Sequence, residues 1–268
     1  WPEDLGGDGP LLVSAFARLG LVAELVPWGG DFSGYEAAVI RGTWDYIDAR
    51  AEFLDWAASV PRLANPAEVL RWNTDKHYLR DLEAAGVPVV PTAWSDSGAV
   101  DFPDGEFVVK PAVSAGARNS ARHTSASSGA AHVQAITDAG GVAMVQPFIP
   151  SVDTAGETGT YVIAGQVSHA IRKMGILDPG KGPGDGPDMS SIDRVGPAPV
   201  DPDLAAFALR VLAASPGPLL YARVDTVPGP DGPLLIELEV TEPYLFLDHA
   251  PHAADWFAAA TAAWLREA

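Results

Sequence analysis

Acidic side chains recur at alternate positions in two neighbouring apolar segments of the chain. Asp225 lies in residues 221–227, and Glu237 and Glu239 lie in residues 234–240. A turn rich in Pro and Gly joins the two segments, which predicts a β-hairpin. Side chains two positions apart on a strand point to the same face, so the three carboxylates are expected to lie together. Carboxylates this close repel one another unless a cation lies among them, and their hard oxygen atoms suit Mg²⁺.

An arginine belongs to the same predicted cluster. Arg223 stands two positions before Asp225, so both side chains point to one face of their strand. The cluster could instead be the solvated, salt-bridged outer face of a hairpin. Because the other residues of both strands are strongly apolar, we favour a site for a metal ion and phosphate groups.

The composition excludes several classes of function. The chain has 268 residues, 47% apolar and 19% charged, which is typical of one large globular domain or two to three small ones. The formal net charge of −18 repels nucleic acids and anionic membranes, so neither is an expected partner. The absence of Cys excludes disulfides, thiolate metal sites and a Cys nucleophile, and it fits a cytoplasmic enzyme.

The first part of the chain predicts an α/β unit. A helix at residues 11–19 and short buried strands at residues 22–26 and 37–40 indicate a parallel sheet. No signal peptide pattern opens the chain and no apolar stretch approaches a membrane span. The abrupt start before a helix is compatible with the loss of an initial strand.

The rest of the chain alternates helices with short strands. Helices are expected from Asn65, from Thr74 and at residues 131–139, 204–214 and 253–267. Strands are expected at residues 87–92, 107–110 and 142–148, with a hairpin of residues 161–163 and 166–171. Residues 175–203 are rich in Pro and Gly without periodicity, which predicts a mobile flap.

A polar and aromatic loop, residues 41–46, follows the second predicted strand of the α/β unit. Ligands usually bind at this edge of a parallel sheet. Arg41 could hold a carboxylate and Asp45 an ammonium group, with Thr43 between them. Equally, the loop could be a Trp/Tyr packing plug with Arg41 and Asp45 as a structural ion pair.

Three further signals are weak when taken singly. Lys110 ends a buried strand, where a lysine often only extends to solvent. The Gly- and Ser-rich residues 112–122 could fold over phosphates with their N–H groups, but they lack the Gly-Lys-Ser/Thr of a P-loop. The strand and turn at residues 144–149 could offer backbone groups to an adenine edge.

Taken in order, these segments resemble the ATP-grasp superfamily along nearly the whole chain. The resemblance implies an α/β and α+β fold, with an N-terminal α/β substrate domain (residues 1–67) and two subdomains that clamp ATP (68–148 and 149–268). The matching motifs are residues 73–76 (Asn-Thr-Asp-Lys), 109–111 (Val-Lys-Pro), 145–149 (Val-Gln-Pro-Phe-Ile), 156–157 (Gly-Glu), 169–173 (His-Ala-Ile-Arg-Lys), 222–225 (Ala-Arg-Val-Asp) and 236–239 (Ile-Glu-Leu-Glu).

The resemblance also implies roles for individual residues. The superfamily often has Asn at the third metal position, where this chain has Glu239. The implied roles are binding of the ATP phosphates by Lys76 and Lys110 and by the loop with Ser114 and Gly116, contact with adenine by Gln146, Pro147, Phe148 and Ile149, Mg²⁺ binding by Asp225, Glu237 and Glu239, and catalysis by Arg223 and Lys173.

Further candidate contacts for a substrate are Glu157, Arg172 and Glu242, in addition to Arg41, Thr43 and Asp45. A solvated hairpin rim is the alternative for Glu157 and Arg172, and a helix- or turn-capping role is the alternative for Glu242.

The implied activity is that of an ADP-forming carbon–nitrogen ligase. A substrate carboxylate attacks the γ-phosphate, becomes an acyl phosphate, and is then captured by an amine. Residues 41–46, 72–76 and 237–243 are most similar to the branch that includes D-cycloserine synthetase, which implies an amine or aminooxy nitrogen as acceptor, either on the same small amino-acid-like molecule or on a second one. A second amino acid as acceptor, a small-molecule kinase and a non-enzymatic anion-binding module remain alternatives, and a homodimer is a possible assembly.

Overall fold

The computed structural model describes residues 7–175, 177–184 and 194–267. Its strands form a two-stranded parallel sheet and two antiparallel sheets. The α-helices of these residues are α1 (Asp8–Arg18), α2 (Arg50–Ser59), α3 (Ala67–Asn73), α4 (Tyr78–Ala84), α5 (Ala126–Asp138), α6 (Ser151–Thr154), α7 (Pro202–Ala213) and α8 (Pro251–Glu267), and a 3₁₀ helix spans Trp44–Asp48.

The parallel sheet pairs β1 with β2, and the antiparallel sheets have the orders β3-β6-β4-β5 and β11-β10-β7-β8-β9. Helix α5 packs on the four-stranded sheet and α7 on the five-stranded sheet. The strands are β1 (Ala38–Val39), β2 (Leu63–Ala64), β3 (Ala93–Ser95), β4 (Phe107–Pro111), β5 (Ala121–His123), β6 (Ala143–Pro147), β7 (Glu157–Ile163), β8 (Gln166–Lys173), β9 (Val195–Ala198), β10 (Tyr221–Gly229) and β11 (Gly232–Glu239).

The strand predicted at residues 22–26 is wrong. These residues lie outside regular structure, and Val22 is 94% exposed. None of the described residues pairs with this segment as a neighbouring strand. A strand needs backbone partners that a five-residue, mostly apolar segment cannot specify, so the local pattern overpredicted this element.

Two other predicted segments differ in part from the structure. Residues 87–92 form only a single bridge, from Val89 to Leu235, and the regular strand β3 begins just after them. Of the predicted flap, β9 is a strand that pairs with β8, and Asp201 caps α7. Residues 176 and 185–193 of the predicted flap lie outside the described residues.

The hydrophobic core joins elements that are far apart in sequence. Helix α8 packs against α1 at the N-terminal unit, and α3 and α4 share a buried cluster with β10 and β11. The predicted domain limits at 67/68 and 148/149 stay predictions. Among the described helices, none combines the length and the apolar character needed to cross a bilayer.

Candidate active site

A cavity of about 240 Å³ collects most of the predicted site residues from both antiparallel sheets. The four-stranded sheet and the loop beside it contribute one wall, and the five-stranded sheet contributes the other. The predicted residues on its lining are Lys76, Lys110, Ser114, Gly116, Gln146, Pro147, Phe148, Ile149, Glu157, Lys173, Arg223, Glu237, Glu239 and Glu242.

Strand pairing brings the charged residues of β10 and β11 opposite one another. Arg223 faces Glu239 across the ladder, and Asp225 faces Glu237. The pairing shifts by one residue beyond this point, so Ile236 is an extra residue that forms a β-bulge. Bulges redirect side chains locally, and here Ile236, Glu237 and Glu239 all line the cavity.

Each predicted metal ligand is paired with a cation. Arg223 Nε and Nη2 each lie 2.8 Å from the Asp225 carboxylate, a bidentate pair, and Lys173 Nζ lies 2.7 Å from it. Lys76 Nζ lies 3.0 Å from Glu237 Oε1, and Arg223 also bonds to Glu239. Within the described ranges, no three acidic or imidazole groups are arranged to hold a metal ion.

The three carboxylates differ in how well they can reach a ligand. The side chains of Glu237 and Glu239 are 25% and 17% exposed and face the cavity, whereas that of Asp225 is 2% exposed. Asp225 therefore lies behind Arg223 and Lys173, which it orients. The structure brings two of the predicted ligands to the cavity wall and places the third beneath it.

The charges at the wall are not fully compensated. Burial tends to raise the pKa of Asp225, but Arg223 and Lys173 hold it at about 2. Burial raises the pKa of Glu239 to about 7. The nearby Arg223 lowers this pKa, whereas the negative charges of Asp225 and Glu237 raise it further. Burial and the neighbouring Glu239 and Glu237 also raise the pKa of Glu242 well above its usual value. Burial tends to raise the pKa of Glu237, but Lys76 and Lys110 hold it below its usual value. Glu237 is therefore compensated while Glu239 beside it is not, and this oxygen-rich wall fits a divalent cation.

The loop predicted to cover phosphates is held in a strained form. Gly116, Ala117 and Asn119 all have positive φ, at 60°, 56° and 53°. Non-glycine residues rarely adopt this region, and such outliers cluster at functional sites. Lys76 Nζ bonds to the Ser114 carbonyl and lies 3.2 Å from its Oγ, so a lysine of the site also anchors the loop.

Two histidines support this loop from behind. His132 Nε2 lies 3.1 Å from Asn119 Oδ1, and His132 Nδ1 lies 3.0 Å from His123 Nε2. Burial and the neighbouring His123 lower the pKa of His132 to about 4. His132 is therefore neutral near pH 7, and its ring connects the loop to helix α5.

The predicted adenine side of the cavity is largely apolar. Gln146 lines it with its side chain bonded to Thr92 Oγ1 at 2.8 Å. The guanidinium of Arg122 lies 3.4 Å from the centroid of the Phe148 ring, which it covers on one face. Val90 and Val108, which no sequence motif indicated, complete this wall.

Four predicted substrate residues lie outside this cavity. Arg172 and Lys173 are neighbours on β8, so they point to opposite faces; Lys173 enters the cavity, and Arg172 is exposed and bonds to the Ala155 carbonyl. The others line a separate groove beside α1 and β1 and are Arg41, Thr43 and Asp45.

Arg41 and Asp45 do not form the ion pair of the packing hypothesis, and their contacts with a substrate stay a prediction. Arg41 Nη2 lies 3.4 Å from Asp8 Oδ2, and its guanidinium packs on the Tyr221 ring. Asp45 accepts a hydrogen bond from Trp28 Nε1 at 2.8 Å. The first α/β loop thus turns Trp44, and not these polar groups, toward the cavity.

Aromatic residues on the substrate side were missed by the sequence analysis. Trp44 and Tyr244 line the cavity with ring centroids 4.5 Å apart, and Phe246 lies beside them. The Tyr244–Phe246 segment is fixed by the buried Asp8, which accepts the Leu245 and Leu247 N–H groups. Aromatic residues near a metal strand are a common core pattern, so only their position in the fold shows that they face the cavity.

A glycine behind the charged cluster was also missed. Gly159 of β7 lies opposite Asp225 in the ladder. A Cβ at this position would lie 2.9 Å from Asp225 Oδ1 and 3.1 Å from Arg223 Cδ. The absence of a side chain at Gly159 therefore makes room for the Arg223–Asp225 pair.

Comparisons with known proteins find close relatives. Residues 1–65 match the family model "D-cycloserine synthetase DcsG, N-terminal domain". Cycloserine biosynthesis protein DcsG of Streptomyces lavendulae is 36% identical over 286 residues, 97% of this chain and 94% of the relative. The crystal structure of D-cycloserine synthetase DcsG has a TM-score of 0.88 and 34% identity, covering 97% of this chain and 95% of that chain. D-alanine–D-alanine ligase from Bacillus anthracis complexed with ATP has a TM-score of 0.67 and 11% identity, covering 98% and 92%.

Proposed function

The chain belongs to the D-cycloserine synthetase family and is an ATP-grasp ligase, and on that basis we propose that it activates the carboxylate of a small amino-acid-like molecule with ATP and Mg²⁺. The activated carboxyl carbon forms an amide with an aminooxy or amine nitrogen, and ADP and phosphate are released. The preferred acceptor is an aminooxy nitrogen of the same molecule, which closes a ring as in D-cycloserine. An acceptor on a second amino acid is the alternative.

The observation that carries this proposal is the collection of cations in one cavity of an acidic protein. Lys76, Lys110, Lys173 and Arg223 all line it, although the chain has a formal net charge of −18. Such a concentration of cations beside carboxylates matches the needs of phosphoryl transfer, which depends on positioning and charge neutralisation.

The proposed binding roles follow from where each residue lies. Lys76 and Lys110 hold phosphate oxygens, and the backbone N–H groups of residues 114–117 cover them. Glu237 and Glu239 hold Mg²⁺. Asp225, the third predicted ligand, would bind Mg²⁺ only if the metal displaced Arg223 or Lys173 from its carboxylate. When bound, Mg²⁺ neutralises charge on the phosphates during transfer.

Arg223 and Lys173 are the proposed catalytic residues. The Asp225 carboxylate fixes the guanidinium of Arg223 through two hydrogen bonds and holds the Lys173 ammonium beside it. Both cations are thereby aimed at one region of the cavity without needing to reorganise. Preorganised positive charge at this point stabilises the negative charge that develops on the transferred group and on the substrate carboxylate.

Glu242 is the proposed contact for the substrate amine. It lines the cavity next to Trp44 and Tyr244, and Tyr46 Oη lies 3.5 Å from its Oε1. A buried carboxyl group with a raised pKa gains most from a cationic partner. A protonated substrate amine between Glu242 and the aromatic rings would supply that partner. The carboxylate of the same substrate would then point toward Arg223.

The test is product analysis with purified protein, ATP, Mg²⁺ and both stereoisomers of O-amino-serine, together with other small amino acids. The proposal predicts equimolar release of ADP and phosphate and a cyclic or intermolecular amide. A stable phosphorylated substrate would instead identify a kinase. Folded protein whose ADP release no amino acid stimulates would contradict the proposed ligation.

A further inference from the structure

Strand β11, which carries the two carboxylates at the cavity wall, lies at the edge of the five-stranded sheet. Among the strands of the described residues, β10 is the one that forms a ladder with it. An edge strand leaves a row of backbone N–H and C=O groups without a ladder partner. On β11 this outer edge is closed by other parts of the chain.

Three buried side chains bond to the outer edge near the carboxylates. Tyr78 Oη accepts the Leu238 N–H at 2.9 Å, and Asn73 Nδ2 donates to the Leu238 carbonyl at 2.7 Å. Asn65 Nδ2 donates to the Val240 carbonyl at 2.7 Å, just beyond β11. These side chains replace the missing neighbouring strand.

Backbone groups close the same edge on the other side of the bulge. The Leu235 N–H donates to the Pro88 carbonyl at 2.9 Å, and the Val90 N–H donates to the Leu235 carbonyl at 3.0 Å. The edge contacts at Leu235 and Leu238 therefore flank Glu237. Since neighbouring side chains on a strand point to opposite faces, fixing Leu238 toward the core fixes Glu237 and Glu239 toward the cavity.

The stretch that supplies these bonds also supplies a cation of the site. Lys76 stands between Asn73 and Tyr78, and its Nζ lies 3.0 Å from Glu237 Oε1. The same short segment thus binds both the backbone of β11 and a carboxylate side chain on it. The bonds of Asn73 and Tyr78 to Leu238 therefore help to set the distance between Lys76 and Glu237.

We propose that Asn73 and Tyr78 are positioning residues, which set the direction of Glu237 and Glu239 through the edge of β11 and thereby set the affinity for a Mg²⁺-bound nucleotide. This inference rests on the proposed function. Neither residue lines the cavity, so each acts through the edge of β11. Outer groups that orient metal ligands commonly change metal affinity by about 10-fold or more when replaced.

The decisive variant is Tyr78→Phe, which removes only the hydroxyl that accepts the Leu238 N–H. Isothermal titration with a non-hydrolysable ATP analogue should show about 10-fold weaker binding in the presence of Mg²⁺ and unchanged binding without it. Amide hydrogen exchange at Leu238 should become faster. The matched control is Tyr221→Phe, because Tyr221 is equally buried and its hydroxyl donates to the Ile40 carbonyl at 2.6 Å.

The outcomes separate this inference from the proposed function. If the wild-type protein shows no Mg²⁺-dependent nucleotide binding, the proposed function fails and this inference fails with it. If the wild type binds and Tyr78→Phe binds as tightly, the positioning role is overturned. An equal loss in Tyr221→Phe would also overturn it, because the effect would then be general loosening of the fold.

Discussion

At the scale of single residues, Glu239 is a partly buried acid whose charge is poorly compensated. Arg223 bonds to it, but the same guanidinium is already shared with Asp225. Burial raises the pKa of Glu239 to about 7, compared with 4.5 for an ordinary glutamate. Between these pH values the unfolded chain loses a proton that the folded chain keeps, so stability falls as the pH rises.

Replacing Glu239 with Gln should remove this cost in the ligand-free protein. Between pH 4.5 and 7, the unfolding free energy of Glu239→Gln should rise relative to that of the wild type by on the order of 2 kcal/mol. The reason is that the raised pKa of Glu239 destabilises only the wild type over this range. Denaturant unfolding at several pH values measures it. A difference that stays constant across this range would contradict the raised pKa.

Gly159 is a second residue whose identity the site requires. In Gly159→Ala the new Cβ should displace the Arg223–Asp225 pair, since it would lie 2.9 Å from Asp225 Oδ1. Misplaced catalytic groups lose large factors in rate, so we expect kcat to fall at least about 10-fold. Steady-state ADP release measures the change.

The control for this substitution is Gly196→Ala in β9 of the same sheet, where a Cβ meets nothing within 4 Å. Its activity should equal that of the wild type. Circular dichroism at the assay temperature shows whether Gly159→Ala is still folded. Full activity in folded Gly159→Ala would refute the argument that this glycine makes room for the charged pair.

At the scale of elements, the loop at residues 114–120 depends on helix α5. His132 on α5 bonds to Asn119, which has a positive φ. His132→Phe removes this bond, so the loop should be held less firmly. The KM for ATP should rise about fivefold, which corresponds to the loss of one hydrogen bond worth about 1 kcal/mol. The change in kcat should be smaller.

Gln134→Leu is the matched control, because Gln134 lies on the same helix and its side chain donates to the exposed Asp138. Its KM should not change. Since the pKa of His132 is about 4, the effect of His132→Phe should be the same from pH 6 to 9. A KM equal to that of the wild type would show that the loop is held without this bond.

Elements with strong local patterns could be predicted from the sequence. The hairpin of β10 and β11 follows from alternating apolar residues and a Pro/Gly turn. The motif residues Lys76, Lys110 and Arg223 lie on the cavity, and their roles stay predictions. Local patterns could not show that residues 22–26 lack strand partners, or that β9 pairs with β8, because these outcomes depend on distant backbone groups. The edge contacts of β11 and the space at Gly159 were hidden for the same reason.

At the scale of the whole molecule, the ATP-grasp fold and the ligase activity predicted from the ordered motifs are confirmed by the relatives. The position of the first loop was not predictable, because it depends on how the N-terminal unit packs against α8 and β10. That packing turns Arg41 and Asp45 away from the cavity and brings Trp44 to it. The homodimer stays a prediction, which sedimentation velocity would test.

The central claim is that the cavity binds a nucleotide together with Mg²⁺ through Glu237 and Glu239. Isothermal titration of a non-hydrolysable ATP analogue, with and without Mg²⁺, into wild type and Glu237→Gln tests it most directly. We predict Mg²⁺-dependent binding to the wild type and loss of that dependence in the variant. Absence of binding to both proteins, or binding to both that ignores Mg²⁺, would contradict the claim.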